Sequence, residues 1–396
     1  MTRPAVLSSE GLRTGAMYAL IFAALGAHLP FWPLWLEDWG LTATEIGSFT
    51  AAGVVVRILA GIAIPALADR LDARRMVMAG VAALGAVVFT AHLWIDDKAI
   101  LFLATLATGL VYPGMIPLSD ALGSAAAREY RFAYAQARAF GSLAFLIANI
   151  AVGWLIGQYG VGVALWWIVI CLALSVWMSM IHPGGGQGAE LSRPRLTDIG
   201  KLATAPVFVL FLCAIGFAQG SHAVFYAFGS VHWAGLGLNE GEIGALWAFS
   251  VAVEVVLMFT VGAAIVARIG AVPAIAFSGA VGVLRWTWMM FDPTGAELWF
   301  LQFLHSGTFA IGHLGAIAFV AAAVEERLSA SAQGLFGAAF GGLLSAVAMG
   351  LASVFYASHG GATYGIAAVM SGLGLIFALM LHHRWQGGLI ATRKSR

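Results

Sequence analysis

The chain has 396 residues, 61% of them hydrophobic and 10% charged, with a net charge of +1 and a mean hydropathy of +0.90. A soluble domain usually carries about 25% charged residues, so this composition excludes an ordinary soluble protein, and it is far too apolar for intrinsic disorder. The balanced charge gives no global case for nucleic acid, and Cys171 and Cys213 sit in apolar runs without disulfide or metal-ligand spacing.

Arg3 and Arg13 precede a first apolar stretch too long for a cleaved signal, so it reads as a membrane span. Apolar runs then recur over 14–36, 45–67, 75–94, 99–122, 134–157, 162–181, 206–231, 242–265, 272–291, 298–322, 333–357 and 362–381. Each is long enough to cross about 30 Å of hydrocarbon as a helix. None shows the ten-residue alternation of a barrel strand. With both termini in the cytoplasm, sixteen of the twenty Lys and Arg lie on the cytoplasmic side and only Lys98 lies outside. That asymmetry is the positive-inside pattern. Pro30, Pro33, Pro113 and Pro117 are expected to kink the first and fourth spans.

The longest break, 183–205, is rich in Gly, Pro and charge. It divides the chain into six-span bundles over 1–182 and 206–396 with a cytoplasmic linker between them. An internal repeat supports the division: GLTATEIGSFTAAGVVVR from Gly40 matches GLNEGEIGALWAFSVAVE from Gly237 at a constant offset of 197. The expected fold is therefore an all-α membrane protein of twelve transmembrane helices in two pseudo-symmetric bundles, an arrangement that recurs in transporters.

Five charges fall inside the spans: Arg57, Asp120, Arg138, Glu254 and Arg285. Each costs about 2.5–3.5 kcal/mol at a span centre, so each should pair, face water or act in transport. Arg57 and Glu254 are repeat mates of opposite charge near the midplane. Arg285 and His305 lie at equal depth on successive spans, with His313 deeper, and Asp120 and Arg138 lie near the inner ends of the fourth and fifth spans. A carboxylate held in a low-dielectric site takes up a proton more readily, which suits Glu254 to proton coupling; the bland alternative is a fixed salt bridge to Arg285. The arginine fork suits a carboxylate substrate, and three intramembrane arginines against two acids leave one positive charge for an organic anion to balance. His222, His305 and His313 titrate near neutral pH when unperturbed. No carboxylate stands at metal-ligand spacing from them, and no cofactor is implied. Aromatics cluster at PFWPLW from Pro30, at Tyr112, at Phe225 to Phe228 around Tyr226, and at Trp286 and Trp288; packing and interfacial belts account for most of them.

The segment PALADRLDARR from Pro65 resembles the major facilitator superfamily's signature between its second and third helices. The resemblance implies a cytoplasmic latch at Asp69, Arg70 and Arg74. Pro65 and Asp72 stand where glycines are usual. The intramembrane charges resemble the lactose permease branch. There, counterparts of Asp120 and Arg138 bind substrate, and counterparts of Glu254, Arg285 and His305 couple protons; Thr308 replaces a glutamate found in that branch. The segments YPGMIPLSDAL, ARAFGSLAF, AQGSHAVFYAF, GVLRW and LHSGTFAIGHL resemble the bacterial 3-phenylpropionate transporter family, proposed proton-linked importers of aromatic carboxylates.

The resemblance implies a monomeric multi-pass protein of the bacterial inner membrane that moves a small organic anion with protons. Its proton-coupling set is Glu254, Arg285, His305 and His313; its substrate set is Asp120, Arg138, His222, Arg57 and Tyr226. Sugar or nucleoside symport is the second transport reading. Drug antiport is disfavoured, because the fifth span lacks the Gly-Pro motif of such antiporters. A membrane enzyme would need a polar catalytic motif that the chain does not show. A sensor without transport stays open.

Overall fold

The computed structural model describes residues 8–184 and 196–390. Arg3, Arg193, Arg195, Arg393, Lys394 and Arg396, counted above for orientation, lie outside the described residues. What is described is nearly all helix. Contacts group the chain into two compact units, Met1–Gly188 with Gly229–Ala248, and Ala189–Phe228 with Phe249–Arg396.

The first unit holds α1 (Ser9–Asp38), α2 (Ala43–Arg70), α3 (Arg74–Ala91), α4 (Lys98–Thr108), α5 (Tyr112–Tyr130), α6 (Tyr134–Tyr159) and α7 (Gly162–Ile181). Ser8 caps α1 through its side chain, which accepts from the Gly11 amide at 3.1 Å. α1 runs on through Pro30 and Pro33. The expected fourth span is instead two helices, α4 and α5, separated by residues 109–111. The break falls just before Pro113, the second residue of α5, where a missing amide costs least. α5 then continues to Tyr130, eight residues beyond the expected end. Asp120 is therefore ten residues inside its helix, about 15 Å from the helix end.

At the exit from α7, His182 is buried. Its Nδ1 accepts from the Gly184 amide at 3.0 Å, its Nε2 meets Thr14 Oγ1 at 3.2 Å, and its carbonyl accepts from Arg75 at 3.2 Å. Burial, with the Arg75 guanidinium nearby, pulls this imidazole down to about 4.

The second unit is entered through α8 (Leu196–Thr204), a helix inside what the sequence reads as linker, and α9 (Pro206–Gly220). α10 (His222–Gly235) and α11 (Glu240–Leu257) each contribute to both units. α12 (Ala263–Ile269), α13 (Ala271–Met289), α14 (Ala296–Phe303), α15 (Gly312–Ala323), α16 (Ser329–Ala338), α17 (Ser345–His359) and α18 (Tyr364–Arg384) complete it. Its core is aromatic and aliphatic: Phe208, Phe211, Ile275, Phe319 and Val320 are buried together, with Phe211 stacked on Phe319 at 4.4 Å. Three links between these helices are π-helical: Met258–Gly262, Ser306–Ile311 and Ala339–Leu344.

Among the described residues, nine helical stretches are long and apolar enough to cross a membrane, and one of them, Ser331–Arg384, covers two of the expected spans.

The internal repeat is visible as backbone. α1 ends in a Schellman motif: Gly40 has φ +105°, and the Leu41 and Gly40 amides bond the carbonyls of Leu36 and Glu37. α10 ends identically: Gly237 has φ +93°, and Leu238 and Gly237 bond Trp233 and Ala234. Each motif leads into a capping box. Thr42 and Glu45 exchange bonds of 2.8 and 3.3 Å; Asn239 and Glu242 exchange bonds of 3.0 and 2.9 Å.

Candidate functional site

The second unit gathers six of the residues singled out from the sequence. Arg285, on α13, is fully buried. Its Nη2 donates to Gln302 Oε1 at 3.0 Å, and its Nη1 lies 3.1 Å from His305 Nδ1 and 3.4 Å from Thr308 Oγ1. The guanidinium also faces the Trp286 ring at 4.3 Å and the Phe225 ring at 5.5 Å. Arginine has no lone pair to offer, so His305 Nδ1 must be the acceptor. The ring proton then sits on Nε2, which points at Glu254 Oε2 3.3 Å away. The histidine thus stands between the arginine and the carboxylate, and the direct Arg285–Glu254 bridge weighed from the sequence is replaced by a bridge through His305. Glu254 keeps 15% of its side-chain surface exposed against 6% for His305, so the carboxylate is the accessible end of the relay.

The remaining residues surround this relay. His222 Nδ1 donates to the Gln219 carbonyl at 3.0 Å, which leaves Nε2 to accept from the Thr308 hydroxyl at 2.9 Å. Tyr226 follows one turn later, its ring 6.1 Å from that of His222, within electrostatic range of Glu254 and Arg285. His313 extends a ladder of stacked rings, His305 on Phe309 at 5.5 Å and Phe309 on His313 at 6.1 Å, and interacts electrostatically with Glu254.

Both helices that bring Glu254 and His305 together are π-wound beside them. One π turn starts at Met258, four residues after Glu254, and the other at Ser306, directly after His305. Such turns inside α-helices are frequent at functional sites. Three residues here were missed by sequence reasoning: Gln302, Gln219 and Thr308 as a hydrogen-bonding centre. The signal that was available is that Gln219 and Gln302 are amides inside apolar spans, where a polar side chain needs a partner.

The first unit gathers a smaller cluster. Asp120 Oδ1 accepts from Tyr18 at 2.7 Å and Tyr134 at 3.0 Å, and Arg138 Nε lies 3.7 Å away. The Arg138 guanidinium covers the Phe22 ring at 4.1 Å and the Tyr18 ring at 5.0 Å. This pair is half open, with 30% of Arg138 and 43% of Asp120 exposed. Tyr18 and Tyr134, which fix the carboxylate, were not singled out from the sequence. Arg57 is placed within electrostatic range of His28, whose ring stacks on Trp32 at 5.4 Å. The aromatic runs are largely core, as expected: Trp32 and Trp35 stack at 4.8 Å, and Phe225, Phe228 and Trp286 are buried.

At the signature segment, α2 continues through Pro65 to Arg70, with Asp69 in its last turn, and Arg74 opens α3. Asp72 takes φ +48°, and the Ala73 amide bonds the Ala68 carbonyl at 3.1 Å. The turn therefore keeps a left-handed residue where the superfamily usually has glycine; aspartate is among the side chains that tolerate it.

A family model described as the MFS_1 like family matches residues 12–369. The chain is 32% identical over 311 residues to the Escherichia coli (strain K12) protein named "Probable 3-phenylpropionic acid transporter", covering 77% of this chain and 80% of that protein. It is 23% identical over 339 residues to the maltose permease of Geobacillus stearothermophilus, covering 82% of each. Among solved structures, the nucleoside transporter NupG matches with a TM-score of 0.78 at 15% identity, over 96% of this chain and 100% of that one. A bacterial homolog of the human lysosomal transporter Spinster, in an inward-facing and occupied conformation, matches with a TM-score of 0.71 at 13% identity, over 94% and 96%. At those identities the two structures speak for the fold alone. The family match and the first relative do more, and the chain belongs to the MFS_1 like family of major facilitator transporters, membrane carriers rather than enzymes.

Proposed function

We propose that this transporter is a proton-coupled importer of a small aromatic carboxylate, working by alternating access as a monomer in a bacterial inner membrane. The observation that carries the proton claim is the Arg285–His305–Glu254 relay. With His305 Nδ1 turned to Arg285 and Nε2–H turned to Glu254, both ring nitrogens are committed. The group with room for a transported proton is then the Glu254 carboxylate, with Arg285, His305 and His313 setting its surroundings.

The substrate claim rests on charge and relationship. Glu254 offsets Arg285 within the second unit, whereas the spans of the first hold two arginines, Arg138 and Arg57, against the single acid Asp120, so the surplus positive charge is there. A carboxylate substrate supplies the missing negative charge and suits an arginine fork. Asp120, Arg138, Arg57, His222 and Tyr226 form the proposed substrate-facing set. The 32% relative, itself named for 3-phenylpropionic acid, indicates the class of acid. Asp69, Arg70 and Arg74 are proposed as a cytoplasmic latch, and the linker 183–205 as the connection between two six-helix halves.

The test is uptake of labelled 3-phenylpropionate by proteoliposomes with and without an inward proton gradient. Gradient-driven uptake, lost in Glu254→Gln while exchange is kept, is the expected result. Undiminished driven uptake in that variant would remove the proton role from Glu254. The similarity to maltose permease favours sugar symport as the second reading; driven uptake of maltose but not of the acid would select it.

A further inference from the structure

The π turn over Ser306–Ile311 sits between His305 and His313. A helix wound this way takes main-chain carbonyls off the regular i to i+4 ladder, and a buried carbonyl without a donor is costly. Gln219, in the last turn of α9 and 2% exposed, adds a donor from outside the helix: its Nε2 lies 3.1 Å from both the Thr308 and the Phe309 carbonyl oxygens, the second of which also accepts the Gly312 amide. Gly312 leaves room for that amide, since a Cβ there would sit 2.6 Å from Gln219 Nε2 and 2.6 Å from Ser278 Oγ. His222, three residues after Gln219, takes the Thr308 hydroxyl. One turn of chain at the α9–α10 junction therefore holds Thr308 by main chain and by side chain. Thr308 in turn meets Arg285 Nη1, and its hydroxyl lies 3.0 Å from the His305 carbonyl.

We infer that Gln219 is a positioning residue: by bridging two successive carbonyls of the π turn, it fixes the rotation of His305 between Arg285 and Glu254, and so sets the pH at which that pair exchanges its proton. The inference rests on the proton-coupling reading. The groups that face the pair are His222 and Tyr226 from α10, Arg285 from α13, His313 from α15 and, through Arg285, Tyr364 from α18. Changing Gln219 alters the charge of none of them.

The test compares the pH profile of gradient-driven uptake in proteoliposomes for the parent, Gln219→Leu, Gln219→Asn, Gly312→Ala and Glu254→Gln. Gln219→Leu removes the donor. Gly312→Ala crowds the same amide, together with Ser278 Oγ, and removes no polar group. Both should move the midpoint of the profile in the same direction by about half a pH unit or more. Gln219→Asn, which keeps the amide on a shorter stem, should move it less. Glu254→Gln should flatten the profile. If Glu254→Gln leaves the profile unchanged, the proton-coupling reading fails and takes this inference with it. If Glu254→Gln flattens the profile but Gln219→Leu and Gly312→Ala keep the parent midpoint, the positioning role alone is overturned. Failure of all three positioning variants to fold would assign Gln219 to stability and overturn it equally.

Discussion

The stretches 40–57 and 237–254 begin alike and end in opposite charges. Both start with a glycine at positive φ closing a Schellman motif, and both continue through a capping box whose acid is the third residue after the cap. Seventeen residues beyond each glycine stands Arg57 in one copy and Glu254 in the other. The positions that dictate backbone are shared, and the position that carries charge has diverged. The lesson is that a repeated scaffold can present unlike chemistry at equivalent depth, provided its turns are left alone.

The largest expected effect breaks the functional half of this comparison. Glu254→Gln should lower gradient-driven uptake by about tenfold or more, whereas Arg57→Gln should keep the response to the gradient and raise KM by about tenfold, the scale of one charge-assisted hydrogen bond. Identical behaviour of the two variants would mean the mates share one role. Next come the shared turns. Gly40→Ala and Gly237→Ala each force a Cβ into a positive-φ position and should cost about 1–2 kcal/mol, read as equal losses of melting temperature in detergent. Unequal losses would show that the copies are alike in shape but not in strain. Removing the caps should cost less: Thr42→Ala and Asn239→Ala about 1 kcal/mol each. The smallest effects concern features of one copy only. Lys98 pairs with Glu45 at 2.7 Å on the surface, so Lys98→Ala should cost only a few tenths of a kcal/mol, vanishing in high salt. Asp72→Gly should raise the melting temperature slightly, by relieving up to about 1 kcal/mol of left-handed strain.

Much of this fold is legible in the chain because hydropathy, positive-inside charge and a constant offset of 197 are local or additive signals. The site is legible in part for the same reason: Glu254, Arg285 and His305 are conspicuous as ionisable groups in apolar helices. The winding of those helices is not legible. A helix that is apolar all round has no amphipathic phase, so a π turn shifts no visible pattern. The Ser306–Ile311 turn is capped by Gln219 from another helix, and no reading of residues 298–322 could supply that partner. The length of α5 is not legible because its helix runs past the apolar run through Arg128, where propensity outlasts hydropathy. The break at 109–111 was closer to expectation, since prolines marked that span, although the chain is interrupted there rather than bent.

The bridging position of His305 has an electrical consequence. If the ring holds its single proton throughout, the relay changes charge only at Glu254, by one unit. One proton carried with one monovalent carboxylate then crosses the bilayer as a neutral sum. A charge crossing a membrane exchanges about 2.3 kcal/mol per 100 mV with the field, and a neutral sum exchanges none. Uptake of an acid in that ratio should therefore follow the pH gradient and ignore an imposed voltage, while a neutral sugar carried with the same proton would be driven by both.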